Sequence, residues 1–426
     1  MPTPTLNRQP PAAVFYGWWI LVGCIAAQMD LGFAKDTMDV YMTYIVADFG
    51  WKRADFQIAG WVTLGAYSIG GPLVGYLLDR IGARAVISLG AISLGIAFAG
   101  YAAMGRFDHY LMATAFLGFG FAGVGDVPVS TIASRWFDRH RGLVLGIVLL
   151  GSNFGGAIIN FLAKALYRDF GDSWRAGLLA IALLMVALVL PFSLFVLRER
   201  GPAVESDAGE GGGASDLTLG EAVASRSLWL LGFALFAYYF YYFFANRHII
   251  ALLRDHQSYG HTVPALLVTL LGVRPEDFPE FTKSMFEIAG IPAKLLAGLL
   301  VDRYHFHQPL AWNFVLLAVG SSLFFVLDSQ PAAIWVFMLV HGVAWGAQQV
   351  LTPMTIAACF GLRHMGQIYG TLLLVLFPAQ FGTWYAGRIF DTTGSYAGFY
   401  PYFLTLNLLA AAGLFLLAPA RRRPRA

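Results

Sequence analysis

A charged side chain at mid-bilayer depth costs about 2.5–3.5 kcal/mol. Each one found inside a long apolar run therefore needs a partner or a task. The first such run carries Asp30, Lys35, Asp36 and Asp39. The Lys35 ammonium is a compact partner for a ligand carboxylate. Asp39, four residues on and on the same helix face, is the alternative partner. Asp30, nearer mid-span, can accept a proton or serve Lys35 as a second partner. A later run carries Lys283, Glu287 and Lys294 on one helical stripe. Glu287 is a candidate proton carrier or half of a static pair with Lys283, while Lys294 lies about 10 Å further along the axis. Between these runs, Gly125-Asp126-Val127-Pro128 sets a carboxylate beside a proline that frees a backbone carbonyl. Asp126 either takes a proton or pairs with Lys35 or a freed donor.

Uncharged polar residues recur in other apolar runs. His341, Trp345, Gln348 and Thr352 follow at steps of four, three and four, one face of a helix. Tyr238, Tyr239, Tyr241 and Tyr242 crowd a further run, where Tyr242 shares a face with Asn246. Gln380, Trp384 and Arg388 are spaced by four. For any single residue, helix–helix hydrogen bonding is the plain reading. For the set, the expectation is a polar cavity whose ligand-binding wall includes Lys35, Tyr238, Tyr242, Asn246, His341, Trp345, Gln348 and Gln380, with Asp30, Asp126 and Glu287 handling protons.

The elements that must position these groups follow from composition. Of 426 residues, 58% are AVILMFWYC and 12% are charged, with a net charge of +3 and a mean hydropathy of +0.63. A soluble domain carries roughly twice that share of charge, so the excess apolar residues must face lipid. Soluble enzymes, nucleic-acid binders and secreted disulfide scaffolds are excluded. Cys24 and Cys359, both in apolar runs, offer no disulfide framework.

Runs long enough to span a bilayer lie near 17–44, 56–78, 85–104, 110–134, 142–166 and 175–197, then near 228–253, 281–301, 309–327, 333–358, 366–388 and 399–418. The first lacks a charged leader and a cleavage-site pattern and reads as a retained helix. The expected architecture is an all-α membrane protein of twelve transmembrane helices in two six-helix bundles, 1–198 and 227–426, joined by a Gly-rich, acidic linker at 199–226. In that linker Thr218 and Glu221 have the spacing of a capping box. Residues 255–280 form a long connection with a short apolar piece, read as a packed or interfacial helix, with a lid over the mouth as the alternative. Arg is concentrated in alternate loops and in the C-terminal tail, which places both termini in the cytoplasm.

The two halves repeat. Gly75-Tyr-Leu-Leu-Asp79-Arg80-Ile-Gly82-Ala-Arg84 in the first matches Gly298-Leu-Leu-Val-Asp302-Arg303 in the second, at the same inter-helix link. Small residues there let helices approach closely, and each carboxylate can pair with an arginine across the inner face. Gly75, Asp79, Arg80, Arg84, Arg139, Asp302 and Arg303 are therefore candidate gating residues.

The first of these stretches resembles the loop signature of the major facilitator superfamily, G-x-L-[AG]-D-[RK]-x-G-R-[RK], with Leu78 and Ala83 departing from it. The stretch from Trp136 and Phe137 through Arg139-His140-Arg141 to Gly146, Gly151 and Gly155 is similar to the monocarboxylate-transporter pattern [YF]-F-x-K-R-R-x-L-A-x-G-x-A-x-x-G-x-x-x-G. The opening Tyr16-Gly17-Trp18-Trp19 is similar to bacterial members of that group, including oxalate/formate-type antiporters. The resemblance implies that Lys35, in Gly32-Phe33-Ala34-Lys35, is an anion-binding lysine. In the Glu287-Ile-Ala-Gly-Ile291-Pro292 run the family's acid and proline are present, and Ile291 stands where the family has arginine. Lys294 is the candidate replacement cation. Oxalate-type relatives hold a dianion with a second cation in the eleventh span, and residues 366–387 contain no Lys or Arg, so a single carboxylate fits better. The tyrosines leave room for a bulky or aromatic body.

The expected function is secondary active transport of a small organic anion, a monocarboxylate, across a bacterial cytoplasmic membrane by alternating access with proton coupling. Export or exchange of an organic anion or hydrophobic compound is the alternative. HExxH, GxSxG, P-loop and paired metal-ligand motifs are absent, so no enzyme activity, metal or cofactor is expected. The expected partners are the anion, protons and the lipid bilayer, with no nucleic acid, and the chain is expected to be a monomer.

Overall fold

The computed structural model describes residues 16–51, 53–137, 140–198, 216–255, 278–304, 307–327 and 329–417. The helices are α1 (Gly17–Phe49), α2 (Arg53–Ala103), α3 (Phe107–Val124), α4 (Asp126–Trp136), α5 (Arg141–Asp169) and α6 (Trp174–Pro191). They continue with α7 (Leu219–Val223), α8 (Arg226–Asp255), α9 (Phe278–Arg303), α10 (Gln308–Leu327), α11 (Ala333–Phe360), α12 (Met365–Leu372), α13 (Leu376–Thr393) and α14 (Tyr400–Phe415).

Twelve crossings result from how the sequence interrupts these helices. Gly82, at φ 83° and ψ 167°, reverses the chain inside α2 and makes two crossings of it; a side chain there would be strained. The crossing expected at 110–134 is instead broken at Gly125, whose extended backbone separates α3 from α4. Pro128 tolerates that break because it falls in the first turn of α4, where amides lack intrahelical partners anyway. A π-turn, Phe192–Val196, prolongs α6, and the turn Leu373–Val375 joins α12 to α13 as one crossing. The Thr218–Glu221 capping box forms and starts α7. The connection at 256–277, most of the linker and both chain ends lie outside the described residues.

The first half packs α1 against α5 and the two limbs of α2 against α3 and α6; the second packs α9 against α11 and α10 against α11 and α14. Phe161, Phe195, Leu183 and Leu416 point outward, each at least 66% exposed, which suits a lipid-facing belt. The halves meet chiefly along two seams, α2 with α12 and α5 with α9. Both seams lie toward the end that carries Tyr16 and Leu417, and both are made backbone to backbone. A Cβ on Gly75 would sit 2.2 Å from the Gly366 carbonyl oxygen, and one on Gly298 would sit 2.3 Å from that of Gly142. Only glycine permits such approach.

Gly298→Leu should therefore hold this end apart. Spin labels on Ile81 and Tyr304, both exposed at this end in opposite halves, should report a longer distance in the variant than in the parent. An unchanged distance would show that the glycine seam does not keep this end shut.

Candidate functional site

Lys35 and Glu287 come from opposite halves, α1 and α9, and meet at 3.5 Å. Their side chains are 50% and 40% exposed, so the pair faces a chamber that solvent still reaches. The expected alternative, pairing of Lys35 with Asp39, is not the contact formed: Lys35 turns to Glu287 and Asp39 stands exposed. An ion pair this accessible contributes on the order of 1 kcal/mol or less, and another anion can replace it.

The other carboxylate oxygen of Glu287 accepts a hydrogen bond from Asn153 Nδ2 at 3.0 Å. Asn153 Oδ1 in turn accepts from the Lys294 ammonium, which also donates to the Leu149 carbonyl at 2.9 Å. Lys294 is fully buried and lies 5.3 Å from the Trp345 ring centroid, while Lys35 lies 6.0 Å from it. The order Lys35–Glu287–Asn153–Lys294 thus links the halves through α5 and α9. Lys294, spaced to share a stripe with Glu287, bonds to α5 instead. Removing one partner of a buried charge typically costs 3–5 kcal/mol, so Lys294 is the more firmly held of the two lysines. Lys283's side chain lies outside the described residues.

Beside this chain of contacts lies a cavity of about 80 Å³. Asp126 lines it from the first half, and Tyr238, Tyr239 and Tyr242 line it from α8. Trp345, Gln348, Gln349 and Thr352 line it from α11, and Tyr369 from α12. The break at Gly125 is what turns Asp126 toward it. Asp126 accepts from Gln28 Nε2 at 3.4 Å rather than pairing with Lys35. Tyr238 stacks on Tyr242 with centroids 5.7 Å apart, and Tyr239 stands edge-on to both. Gln348 is committed inside the wall, accepting from Asn313 at 2.8 Å and donating to Thr352 at 3.0 Å.

Lys35 stands beside this cavity rather than on its wall, and three further expected wall residues lie off it. His341 is buried between Phe286 and Phe337 and its Nδ1 meets the Tyr241 hydroxyl at 2.9 Å; the aromatic core of the second half claims it. Asn246 donates back to the Tyr242 carbonyl of its own helix at 3.1 Å. Gln380 is buried, and its Oε1 finds no hydrogen-bond partner among the described residues. Asp30 is likewise sealed inside the first half, and neither carboxyl oxygen has a hydrogen-bond partner among the described residues, a costly place for an ion. Sequence reasoning passed over Asn153, Gln28, Tyr239, Gln349 and Tyr369 as site residues. Gln349 sits next to Gln348, and Tyr369 stands alone in an apolar run, where periodicity gives no signal.

At the closed end each half caps a helix of the other. Asp79 accepts from Gln367 N at 3.1 Å in α12, and Asp302 accepts from Gly142 N at 2.9 Å and Leu143 N at 3.2 Å in α5. Carboxylates at helix N-termini are favoured by the unpaired amides there. The expected carboxylate–arginine pairing holds for Asp79, whose partner is Arg135 at 3.4 Å, an arginine not among the gating candidates. Arg135 also donates to the Leu362 and Arg363 carbonyls. Among the described residues the partners of Asp302 are backbone amides, since α5 begins directly against it. Arg80 lies over the Tyr76 ring; Arg84 and Arg303 are exposed; Arg139 lies outside the described residues.

Asn153→Leu should leave Lys294 and Glu287 each short of a partner. A loss of about 1–3 kcal/mol is expected, read as a lower thermal midpoint in detergent. A midpoint equal to the parent's would remove Asn153 from the account of how the halves are held.

Residues 24–383 match the Major Facilitator Superfamily. Monocarboxylate transporter 4 of Gallus gallus is 23% identical over 402 residues, 89% of this chain and 78% of that one. The uncharacterized MFS-type transporter YcxA of Bacillus subtilis (strain 168) is 21% identical over 384 residues, 89% of this chain and 90% of that one. Among solved structures, the proton:xylose symporter XylE bound to 6-bromo-6-deoxy-D-glucose aligns with a TM-score of 0.67 at 15% identity, covering 95% of this chain and 97% of that one. The transporter FucP in the outward conformation aligns with a TM-score of 0.64 at 14% identity, covering 95% and 99%.

Proposed function

Because this chain belongs to the major facilitator superfamily, we propose that it is a secondary active transporter that moves a small organic anion, a monocarboxylate, across the cytoplasmic membrane together with protons. The carrying observation is the Lys35–Glu287 pair, 3.5 Å apart across the two halves and open to solvent. An anion entering the chamber competes with Glu287 for the Lys35 ammonium. Once displaced, Glu287 keeps Asn153 as a donor but loses its counter-charge. Taking up a proton restores neutrality, and cargo and proton then cross as one electroneutral load. Release on the far side lets Lys35 and Glu287 pair again, which resets the empty carrier.

This reading places both termini, and the closed end, in the cytoplasm. The chamber is then open to the outside, and the similarity to FucP in the outward conformation supports that state. Asp79 and Asp302 act as latches that release when the halves rock. Asp30 and Asp126 are the further carboxyl groups assigned to proton handling. The monocarboxylate transporters among the relatives support the substrate class, as does the absence of a second cation at 366–387. The protein is taken as a monomer.

Lys35→Ala should abolish saturable uptake of radiolabelled monocarboxylates in proteoliposomes while the protein stays folded by gel filtration. Lys35→Arg should retain part of it. In the parent, an inward proton gradient should accelerate uptake and a protonophore should cancel the gain. Full transport by Lys35→Ala would end the site assignment, and rates indifferent to the gradient would end the symport assignment.

A further inference from the structure

The cavity below the Lys35–Glu287 pair has a composition that an anion alone does not explain. Its walls present five aromatic rings, those of Tyr238, Tyr239, Tyr242, Trp345 and Tyr369, and one carboxylate, Asp126. Aromatic faces carry negative potential and attract organic cations, most of all when several rings surround a methylated ammonium. A carboxylate in the same wall repels a second anion and strengthens the hold on a cation.

Asp126 is lightly hydrogen-bonded among the described residues. Its described hydrogen bond, from Gln28, is long at 3.4 Å. The nearest cationic strut, Lys294, points its donors at the Leu149 carbonyl and Asn153 and rests on Trp345. The Asp126 carboxylate sits among these rings, and Gln348 and Thr352 already bond each other. A cation without N–H groups binds through the ring faces and the carboxylate charge and needs no acceptor of its own. Trp345 borders both regions, with Lys35 at 6.0 Å from its ring centroid and the cavity along its other contacts. A ligand with a carboxylate on Lys35 and a cationic head among the tyrosines would meet a matched charge at each end. The volume of about 80 Å³ gives room for roughly five to eight water-sized groups at 10–15 Å³ each, which limits the ligand to a few heavy atoms.

We propose that the cargo is a small zwitterion, a carboxylate joined to a methylated ammonium group, with Asp126 and its aromatic surround as the cation subsite. This rests on the organic-anion role of Lys35 and adds a second recognition element to it; while cargo is bound Asp126 is ionised, and proton handling falls to Glu287 and Asp30.

Three probes of matched shape separate the possibilities when binding to the purified full chain in lipid nanodiscs is followed by tryptophan fluorescence and calorimetry. Trimethylglycine carries both charges, 3,3-dimethylbutanoate replaces its nitrogen by carbon, and choline lacks the carboxylate. Trimethylglycine should bind at least about tenfold tighter than either of the others, the range expected of a desolvated cation among aromatic faces. Asp126→Asn should reduce that preference over dimethylbutanoate to near unity. Tyr239→Phe should keep most of it and Tyr239→Leu should lose it, since only the former retains the ring. Dimethylbutanoate binding as tightly as trimethylglycine overturns the zwitterion proposal and leaves the organic-anion role intact. Choline binding as tightly as trimethylglycine, with Lys35→Ala affecting neither, overturns the organic-anion role as well. Failure of all three to bind in the millimolar range overturns the zwitterion proposal.

Discussion

Everything distinctive about this molecule depends on keeping a lysine–glutamate–lysine set in the middle of an apolar protein with a partner for each member. Lys35, Glu287, Asn153 and Lys294 meet that constraint in series, each satisfying the next, and the series runs from one half of the molecule to the other. Its two ends differ in character. Lys294 is dry and saturated by a carbonyl, an amide and an indole, so it is expensive to disturb. Lys35 is wet and, among the described residues, hydrogen-bonded to Glu287 at 3.5 Å, so it is less expensive to redirect. The proposed exchange uses that asymmetry: one charge stays so that the wall has a fixed shape, and another is surrendered so that cargo can enter.

Much of the fold was legible in the residues. Twenty-residue apolar runs report crossings because every backbone polar group in lipid must bond within its own helix. The duplicated Gly-x-x-x-Asp-Arg links reported where helices from the two halves touch, because glycine in that setting has few other uses. The capping box at Thr218 and Glu221 was also legible, being a local motif whose geometry needs no tertiary contact.

The site was legible only in part. That Lys35 and Glu287 mattered followed from the cost of charge in oil, but not that they would face each other, since α1 and α9 are 252 residues apart along the pair. His341 shares helical spacing with Trp345, Gln348 and Thr352, yet it sits where the stripe turns into the phenylalanine core of the second half. A period of 3.6 says which residues share a face and cannot say where along the helix that face leaves the cavity. Asn153 was invisible for a related reason: an asparagine in a small-residue helix face has an innocent reading as a packing residue until its two partners are seen. Asp302 taught the same lesson at the closed end, where its partners among the described residues include backbone amides, which carry no side-chain signature.

The reciprocal capping at that end has a mechanical consequence. Asp79 in α2 grips the start of α12, and Asp302 in α9 grips the start of α5, so the two grips lie on opposite flanks of the interface. One such mooring would permit the halves to swivel about it, as a boat swings on a single line. Two permit only a see-saw about an axis parallel to the line between them, with both ties slackening together. On the proposed rocking of the halves, cutting either one alone would trade a clean see-saw for a lopsided, twisting one.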